Sequence, residues 1–219
     1  MKIFQSTKIT CIIALTATVL TGSGEFLLHY DSLARYGANN PYEFFSDIPV
    51  NRLSTGHFLA VAGIPFYFIG SWHIYLMLKP SNEKISFLTF LISSFGFIYG
   101  AIWMGSRAFI AVVVQSLPGA SLPEALQITD FYAAHYESLL QVIRVTTLVL
   151  SILIVWLTLK GKTRFPRWMA AVAPIFGILA CFLVFLFLPS LGKYIMPIAL
   201  NVAFLIFFSC SFIFGNHIN

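Results

Sequence analysis

Charged side chains are scarce in this sequence. Asp, Glu, Lys and Arg make up only 10% of its 219 residues, whereas a soluble domain carries about 25%. Apolar residues account for 58% of the chain, and its mean hydropathy is +0.86. The charges are too few to cover a soluble surface, and the apolar content excludes a disordered or collagen-like chain. The composition therefore predicts an integral membrane protein.

Cysteine is also scarce. Cys11, Cys181 and Cys210 lie within apolar stretches, form no CxxC motif and have no histidine at zinc-finger spacing. This pattern excludes a disulfide scaffold and argues against a thiol redox function. We interpret all three as small buried apolar residues.

Long apolar runs dominate the sequence instead. A helix needs about 20 residues to cross a hydrocarbon core of about 30 Å. Helices are predicted because they satisfy their own backbone groups and because the runs lack the alternating polarity of barrel strands. We predict an all-α, polytopic transmembrane helical bundle with six spans in a single domain over residues 1–219. The spans lie near residues 9–29, 56–78, 86–112, 132–159, 168–188 and 194–214.

The connecting segments differ in length and composition. Residues 30–55 form the longest predicted loop, with a short interfacial helix near 41–47. Residues 113–131 are predicted to form a loop with at most one helical turn, because they contain Pro118, Gly119 and Pro123. In the third span, we expect three glycines to permit close helix approach: Gly96, Gly100 and Gly105.

Basic residues are distributed unevenly between the two ends of the spans. With the N-terminus inside, eight of them fall on cytoplasmic segments and three on outer segments, which follows the positive-inside rule. Both termini are then predicted to be cytoplasmic, in a bacterial inner membrane. The net charge of +5 reflects this bias and not a nucleic-acid partner. The inner residues are Lys2, Lys8, Lys79, Lys84, Lys160, Lys162, Arg164 and Arg167, and the outer ones are Arg35, Arg52 and Lys193.

A few polar side chains fall inside the predicted spans, mostly toward their outer ends. Ionisable groups are costly in a bilayer and often mark functional sites. The residues predicted to act in acid–base catalysis are Glu25, His57, His135 and Glu137. The residues predicted to bind a ligand are Arg107, Arg144, Trp103 and Asn201.

The same residues allow a structural interpretation. Glu25 and Glu137 can neutralise Arg107 and Arg144 as ion pairs, which relieves the cost of burying each charge. The histidines are then hydrogen-bonding residues at the water boundary. The sequence does not decide between these two interpretations.

Histidine positions raise the question of a cofactor. His29, His57 and His135 form a ligand set that suits zinc or another borderline divalent ion, provided that spans one, two and four are neighbours. His73 lies sixteen residues from His57, about 24 Å along a helix, a spacing that resembles a two-haem arrangement. Haem is not expected, because the inner half offers no second intramembrane axial ligand. We interpret His73 as an interfacial residue beside Trp72.

Arg144 is the strongest single candidate. It lies a third to half of the way along the predicted fourth span, too deep to reach the outer surface easily. An unpaired arginine there costs at least ~2.5–3.5 kcal/mol. We therefore expect Arg144 to face the bundle, where it pairs with Glu25 or Glu137 or anchors a carboxylate or phosphate group.

Several segments resemble a known family. They are Ile48-Pro-Val-Asn-Arg-Leu-Ser-Thr-Gly-His57, Gly63-Ile-Pro-Phe-Tyr67, Trp72-His73 and Phe165-Pro-Arg-Trp168, followed by Pro174, Pro197 and Asn201. Together they resemble an uncharacterised bacterial family of small multi-pass integral membrane proteins, a domain of unknown function. The resemblance covers most of the chain and implies no catalytic residues.

The predicted function follows from the outer polar group. We expect the protein to bind or process a lipid-like or amphipathic small molecule at a polar pocket in the outer leaflet. The alternatives are a small-solute or ion transporter and a noncatalytic membrane sensor or subunit. Membrane lipids and the amphipathic ligand are the expected partners, and the sequence leaves open whether the protein is an enzyme or an oligomer.

Overall fold

A computed structural model of the chain describes residues 6–35, 42–116 and 122–215. Within these ranges the chain is helical and contains no strand. The α-helices are α1 (Thr7–His29), α2 (Val50–Leu78), α3 (Glu83–Ser116), α4 (Leu122–Lys160), α5 (Pro174–Phe187), α6 (Pro189–Ile195) and α7 (Ala199–Phe214). Three 3-10 segments lie between them, at Glu43–Asp47, Arg167–Val172 and Met196–Ile198.

The helices confirm an integral membrane protein. In the described part of the chain, five helical segments are long and apolar enough to cross a membrane. They are Thr7–His29, Val50–Leu78, Glu83–Gln115, Gln127–Lys160 and Pro189–Phe214. The predicted fifth span, 168–188, is not one continuous helix. Pro174 lacks a backbone N–H and starts α5 afresh, so that α5 has only 14 residues after the 3-10 segment Arg167–Val172.

The prediction of a loop over 113–131 is wrong. α3 continues to Ser116 and α4 already begins at Leu122. Pro123 falls in the first turn of α4, where the missing N–H breaks no helical hydrogen bond. The predicted interfacial helix near 41–47 is a 3-10 segment, Glu43–Asp47. Lys2, residue 41, Pro118 and Gly119 lie outside the described residues.

Close packing of α1 on α2 depends on glycine. A Cβ atom built at Gly24 would lie 2.2 Å from the backbone N of Ala60, and one at Gly63 would lie 2.2 Å from Thr21 Oγ1. The two backbones therefore approach as closely as in small-residue membrane interfaces. In α3 the expectation is confirmed only for Gly96, which faces Thr146. Cβ atoms at Gly100 and Gly105 would meet nothing within 4 Å.

The helices form a central group of α1, α2, α5 and α7 and a flanking hairpin of α3 and α4. α1 packs against α2 and α7, and α5 packs against α7. α3 packs against α2 on one side and α4 on the other, whereas α4 makes few contacts with α5. One of the few links between α4 and α5 is a hydrogen bond from the backbone N–H of Ile175 to Ser151 Oγ, at 3.1 Å.

The bundle has two distinct ends. The end that carries Lys8, Lys79, Lys160 and Arg164 is called the basic end, where the N–H of Arg164 donates to the carbonyl of Met77 at 2.9 Å. The other end is called the aromatic end and is marked by the stacked rings of Tyr30 and Tyr194, 5.1 Å apart, and by Arg52. The guanidinium of Arg52 donates to the carbonyl of Tyr30 at 2.6 Å.

Candidate functional site

A buried carboxyl lies near the aromatic end, between α1, α2 and α7. Glu25 on α1 is only 9% exposed. Asn201 on α7 donates from Nδ2 to Glu25 Oε2, and the Tyr67 hydroxyl on α2 donates to Asn201 Oδ1 at 2.7 Å. These three residues form a buried hydrogen-bond chain that brings together two of the predicted site residues, Glu25 and Asn201.

Local packing explains why Asn201 reaches Glu25. A Cβ atom at Gly22 would lie 3.0 Å from Asn201 Cβ, so α7 crosses α1 at a position without a side chain. Glu25 follows Gly22 by three residues and therefore lies on the same face of α1, about one turn nearer the aromatic end. The contact at Gly22 thereby places the Asn201 amide against the Glu25 carboxyl.

The predicted ion pairs form only in part. Arg107 pairs with Glu137, which confirms one of the pairs in the structural interpretation. Among the described residues, none forms an ion pair with Glu25. Its carboxyl is therefore buried with a neutral amide as partner, an arrangement that is costly in the absence of further compensation.

The Arg107–Glu137 pair is tied to the segment before α2. The Tyr42 hydroxyl donates to Glu137 Oε1 at 2.8 Å, and the Arg107 guanidinium lies 4.1 Å from the centre of the Trp103 ring. Burial and, to a smaller extent, the hydrogen bond to Glu137 together raise the pKa of Tyr42 to about 12. These contacts join α3, α4 and the chain before α2 next to Trp103. Tyr42 belongs to the last of these, since it directly precedes the segment Glu43–Asp47.

Three buried nitrogen atoms, one on Trp103 and two on its neighbours, have no hydrogen-bond partner among the described residues. His29 stacks on its ring at 5.4 Å, and the His29 Nδ1 atom bonds the carbonyl of Glu25 at 3.1 Å. Because a carbonyl only accepts, Nδ1 carries the proton and Nε2 has a lone pair in the neutral ring. In the described ranges, no hydrogen-bond partner contacts His29 Nε2, Trp103 Nε1 or Arg107 Nε.

A cavity of about 100 Å³ lies beside this group. Its polar wall is formed by Thr21, Glu25, Tyr67, Trp103 and Asn201. The remaining wall is mainly apolar and comes mostly from α3, α4 and α7: Ile64, Phe97, Gly100, Met104, Leu140, Ile143 and Leu200. An apolar pocket with a few converging polar groups is typical of small-molecule sites.

A narrower space of about 30 Å³ continues from the cavity. The two spaces share four lining residues, Phe97, Gly100, Ile143 and Leu200. The narrower one runs on toward Ser93 and Leu150, nearer the basic end. We call the two spaces together the α3–α4–α7 groove. Its width at Gly100 results from the missing side chain, because a Cβ there would meet no atom within 4 Å.

The structure does not form the predicted metal site. His135 is exposed on α4 and bonds the carbonyl of Phe131 one turn earlier at 3.0 Å. His57 lies edge-on against Phe58 at 5.2 Å, while His29 stacks on Trp103. The three histidines therefore point to different surroundings. In the described part of the chain, no three His, Cys, Asp or Glu side chains are placed to hold a metal ion.

The predicted position of Arg144 is wrong. Its side chain is exposed, and no ion pair joins it to a described acid. The reason is the length of α4, which begins at Leu122 instead of near residue 132. Arg144 lies sixteen residues from Lys160, about 24 Å along the helix. That position is close to the far boundary of a core of about 30 Å, where an arginine extends outward to water.

His73 is not interfacial. It is 1% exposed, with Nδ1 3.1 Å from Thr10 Oγ1 and Nε2 2.7 Å from Ser211 Oγ. Both ring nitrogens therefore lie within hydrogen-bond distance of a hydroxyl group. Trp72 packs elsewhere, on Tyr75 at 4.6 Å between ring centres.

Two residues of the site were not singled out as site residues from the sequence. The sequence indicates Tyr67 only as an aromatic side chain that could line a lipid-shaped pocket. It lies one helical turn after Gly63, where α1 and α2 are in close contact. Tyr42 lies in the segment between α1 and α2. No spacing rule links Tyr42 to Glu137, ninety-five residues later in the chain, so only the tertiary structure shows this contact.

Comparison with known proteins supports the resemblance found in the sequence. The model of a family of unknown function, DUF6796, matches residues 1–216. No curated protein and no solved structure matches the chain.

Proposed function

The chain belongs to DUF6796, a family of unknown function, and we propose that it binds an amphipathic, lipid-like molecule in the α3–α4–α7 groove. The polar group of this molecule contacts Glu25 and Trp103, and its apolar chain lies against Phe97, Ile143 and Leu200. The bound molecule comes from the surrounding membrane lipid phase.

One observation carries this proposal. The wall of a cavity of about 100 Å³ is largely apolar but is formed in part by Glu25, a buried carboxyl, and by Trp103, whose buried indole N–H has no partner among the described residues. Buried polar groups are normally hydrogen-bonded, and leaving one unpaired costs about 1–3 kcal/mol. A bound polar group that supplies the missing hydrogen bonds offsets this cost.

The size of the cavity fits a small polar group. A water molecule occupies about 30 Å³ in the liquid, so about 100 Å³ holds roughly three waters or a head group with the first carbons of a chain. The narrower continuation beyond Gly100 suits the rest of an unbranched chain. This division into a polar and an apolar part favours an amphipath over a fully polar solute.

Six crossings of an inner membrane are part of the proposal. The 3-10 segment Arg167–Val172 and α5 together make the fifth crossing. Trp168 contacts Phe214 at the basic end with ring centres 5.1 Å apart, and Lys193 Nζ, just after α5, donates to the carbonyl of Ser32 at the aromatic end at 3.5 Å. The N-terminus and the end of α7 then both lie at the basic end.

The positive-inside rule places the basic end in the cytoplasm. Glu25 lies seventeen residues from Lys8, about 26 Å along α1, so the cavity is in the outer leaflet. A cysteine at Ser46 is expected to react with an impermeant thiol reagent from outside, and one at Lys162 only after lysis. The reverse labelling contradicts this orientation.

Binding is favoured over transport by the packing below the cavity. The rings of Tyr67, Phe97 and Phe204 pack against one another with ring centres 4.1–5.8 Å apart. The narrower space that runs toward the basic end is lined largely by apolar groups, Phe97 and Phe204 among them, whereas a transporter needs a polar path to both sides. Processing of the bound molecule remains compatible with this site, because the Glu25 carboxyl on the cavity wall supplies an acid or base.

The test uses a variant in which Trp103 is the only tryptophan. Trp72, Trp156 and Trp168 are replaced by Phe, and the protein is placed in lipid nanodiscs. Bromoundecyl amphiphiles with alcohol, carboxylate, ammonium or phosphate heads are titrated, and quenching of Trp103 fluorescence is measured. We expect saturable quenching by at least one of them.

Two glycine variants provide a matched comparison. Gly100→Leu fills the groove without a clash at Cβ, and we expect it to weaken saturable binding by about tenfold or more, since the chain loses its place. Gly105→Leu is the control, because a Cβ there also meets nothing within 4 Å but the residue does not line the cavity. Unsaturable quenching that is the same in all three proteins indicates simple partitioning into lipid and overturns the proposal.

A further inference from the structure

The head group of the bound molecule can be inferred from the hydrogen bonds that the cavity wall leaves unmade. Glu25 Oε2 accepts a hydrogen bond from Asn201, but Oε1 accepts none from the described residues. Trp103 Nε1 is a buried donor without a partner in the same ranges. Glu25 and Trp103, which both line the cavity, therefore hold one unused acceptor and one unused donor between them.

The other polar groups of the wall are already engaged. The Tyr67 hydroxyl donates its proton to Asn201 Oδ1, and Asn201 donates to Glu25. The Thr21 hydroxyl donates to the carbonyl of Ala60 at 3.4 Å. Recognition of a head group is thus left mainly to Glu25 and Trp103.

The charges around the cavity limit the head group further. Arg107 is the nearest described cation above Trp103, and its charge is balanced by Glu137. Among the described residues, no cation lines the cavity itself to pair with a phosphate or carboxylate head. An ammonium head suits Glu25 but offers no lone pair to the Trp103 N–H.

We infer that the bound molecule carries an uncharged hydroxyl head, as in a long-chain or lipid alcohol. A hydroxyl both donates and accepts, so it donates to Glu25 Oε1 and accepts from Trp103 Nε1. It adds no net charge to a buried site. This inference rests on the proposed function, since it specifies the molecule that the same groove binds.

The experiment compares head groups on one chain. The protein that retains Trp103 alone is titrated with bromoundecanol, its methyl ether, and the carboxylate, ammonium and phosphate analogues. We expect the alcohol to bind most tightly. The ether accepts a hydrogen bond but cannot donate one, so we expect its affinity to fall about tenfold through loss of the bond to Glu25. This series needs no substitution in the site.

The hydrogen-bond acceptor in the protein is identified by changing the ligand and the protein separately and together, as in a double-mutant cycle. Glu25→Leu removes Oε1, and we expect it to weaken binding of the alcohol about tenfold while changing binding of the ether little. His135→Leu is the control, because His135 is exposed and does not line the cavity. If Glu25→Leu fails to fold, the comparison of alcohol with ether in the parent protein still decides the inference.

The outcomes separate the two proposals. Tightest binding of the ammonium, carboxylate or phosphate analogue overturns the hydroxyl inference but leaves the proposed groove in place. Equal saturable binding of all five probes does the same. If no probe saturates, both the inference and the proposed function are overturned.

Discussion

The same three helices carry two buried polar triads, and these differ in whether their hydrogen bonds are complete. Near the basic end, Thr10, His73 and Ser211 come from α1, α2 and α7. Near the aromatic end, Glu25, Tyr67 and Asn201 come from the same helices in the same order. The basic-end triad is closed, and the aromatic-end triad opens onto a cavity.

The basic-end triad has a partner for each ring nitrogen. The Thr10 hydroxyl donates to the carbonyl of Ser6 or Thr7 at 3.0–3.1 Å, so its oxygen accepts from His73 Nδ1–H. Ser211 then donates to Nε2 at 2.7 Å. A neutral histidine with both nitrogens bonded is fully satisfied. This triad is well suited to holding three helices together.

Among the described residues, no donor reaches the second carboxylate oxygen of the aromatic-end triad, and the indole N–H of Trp103, which lines the same cavity, has no partner there either. Incomplete hydrogen bonding in a buried site stabilises the protein less and favours a ligand that completes it. The comparison teaches that burial of a polar residue does not itself indicate function. The unused hydrogen-bonding capacity beside a cavity does.

The largest effect is expected when the closed triad is broken. His73→Ala removes two buried hydrogen bonds and leaves a cavity, and we expect it to lower the free energy of unfolding by about 3–5 kcal/mol. Thermal unfolding in detergent measures the change, with His135→Ala as the exposed control at about ±0.5 kcal/mol. Binding of a groove probe by the folded fraction stays unchanged. Equal stability of His73→Ala and His135→Ala contradicts a structural role for this triad.

A smaller loss is expected from breaking the ion pair above the open triad. Arg107→Met leaves Glu137 without its cation, and because the Glu137 side chain is 38% exposed the cost is about 1–2 kcal/mol, less than for a fully buried pair. The second change, Glu137→Gln, is expected to recover part of the loss. A double-mutant cycle read by thermal unfolding tests this. Strict additivity of the two substitutions shows that the pair does not contribute.

The open triad is expected to respond differently from the closed one. Glu25→Gln keeps a hydrogen-bond acceptor for Asn201 and removes a buried carboxyl, so we expect the free energy of unfolding to change by less than about 1 kcal/mol. Binding of the alcohol probe falls about fivefold, because the amide presents N–H groups where Oε1 was. Fluorescence titration and thermal unfolding of the same preparation separate the two effects. A loss of stability as large as that of His73→Ala removes the distinction between the triads.

The smallest effect concerns Tyr42. Its folded-state pKa is raised to about 12, above the value of about 10 expected in the unfolded chain. The neutral phenol is therefore favoured by folding, and this contribution is fully present below pH 10 and is lost as the pH rises through 12. We expect Tyr42→Phe to be slightly less stable at pH 8 and to lose less stability than the parent protein between pH 10 and 12. Parallel pH profiles of the two proteins contradict the assignment.

Sequence reasoning located the ends of the helices well where composition changes sharply. α1 ends at His29 and α2 ends at Leu78, as predicted, because apolar runs stop there and water begins. Sequence reasoning placed helix ends wrongly near two prolines. Pro123 lies in a first helical turn and did not end the helix, whereas Pro174 restarted one. Proline has both effects because only its position in the turn decides whether a hydrogen bond is lost.

The sequence by itself determined that this protein is an integral membrane protein and that Glu25, Trp103 and Asn201 are polar groups in apolar surroundings, because the cost of such groups in a bilayer depends on composition and depth alone. The tertiary structure decided their partners. Glu137 pairs with Arg107, whereas Arg144 stays exposed. Gly24 allows two helices to pack tightly, whereas Gly100 leaves open space beside its helix. These differences depend on which helix faces which, and local spacing along one helix contains no information about its neighbour.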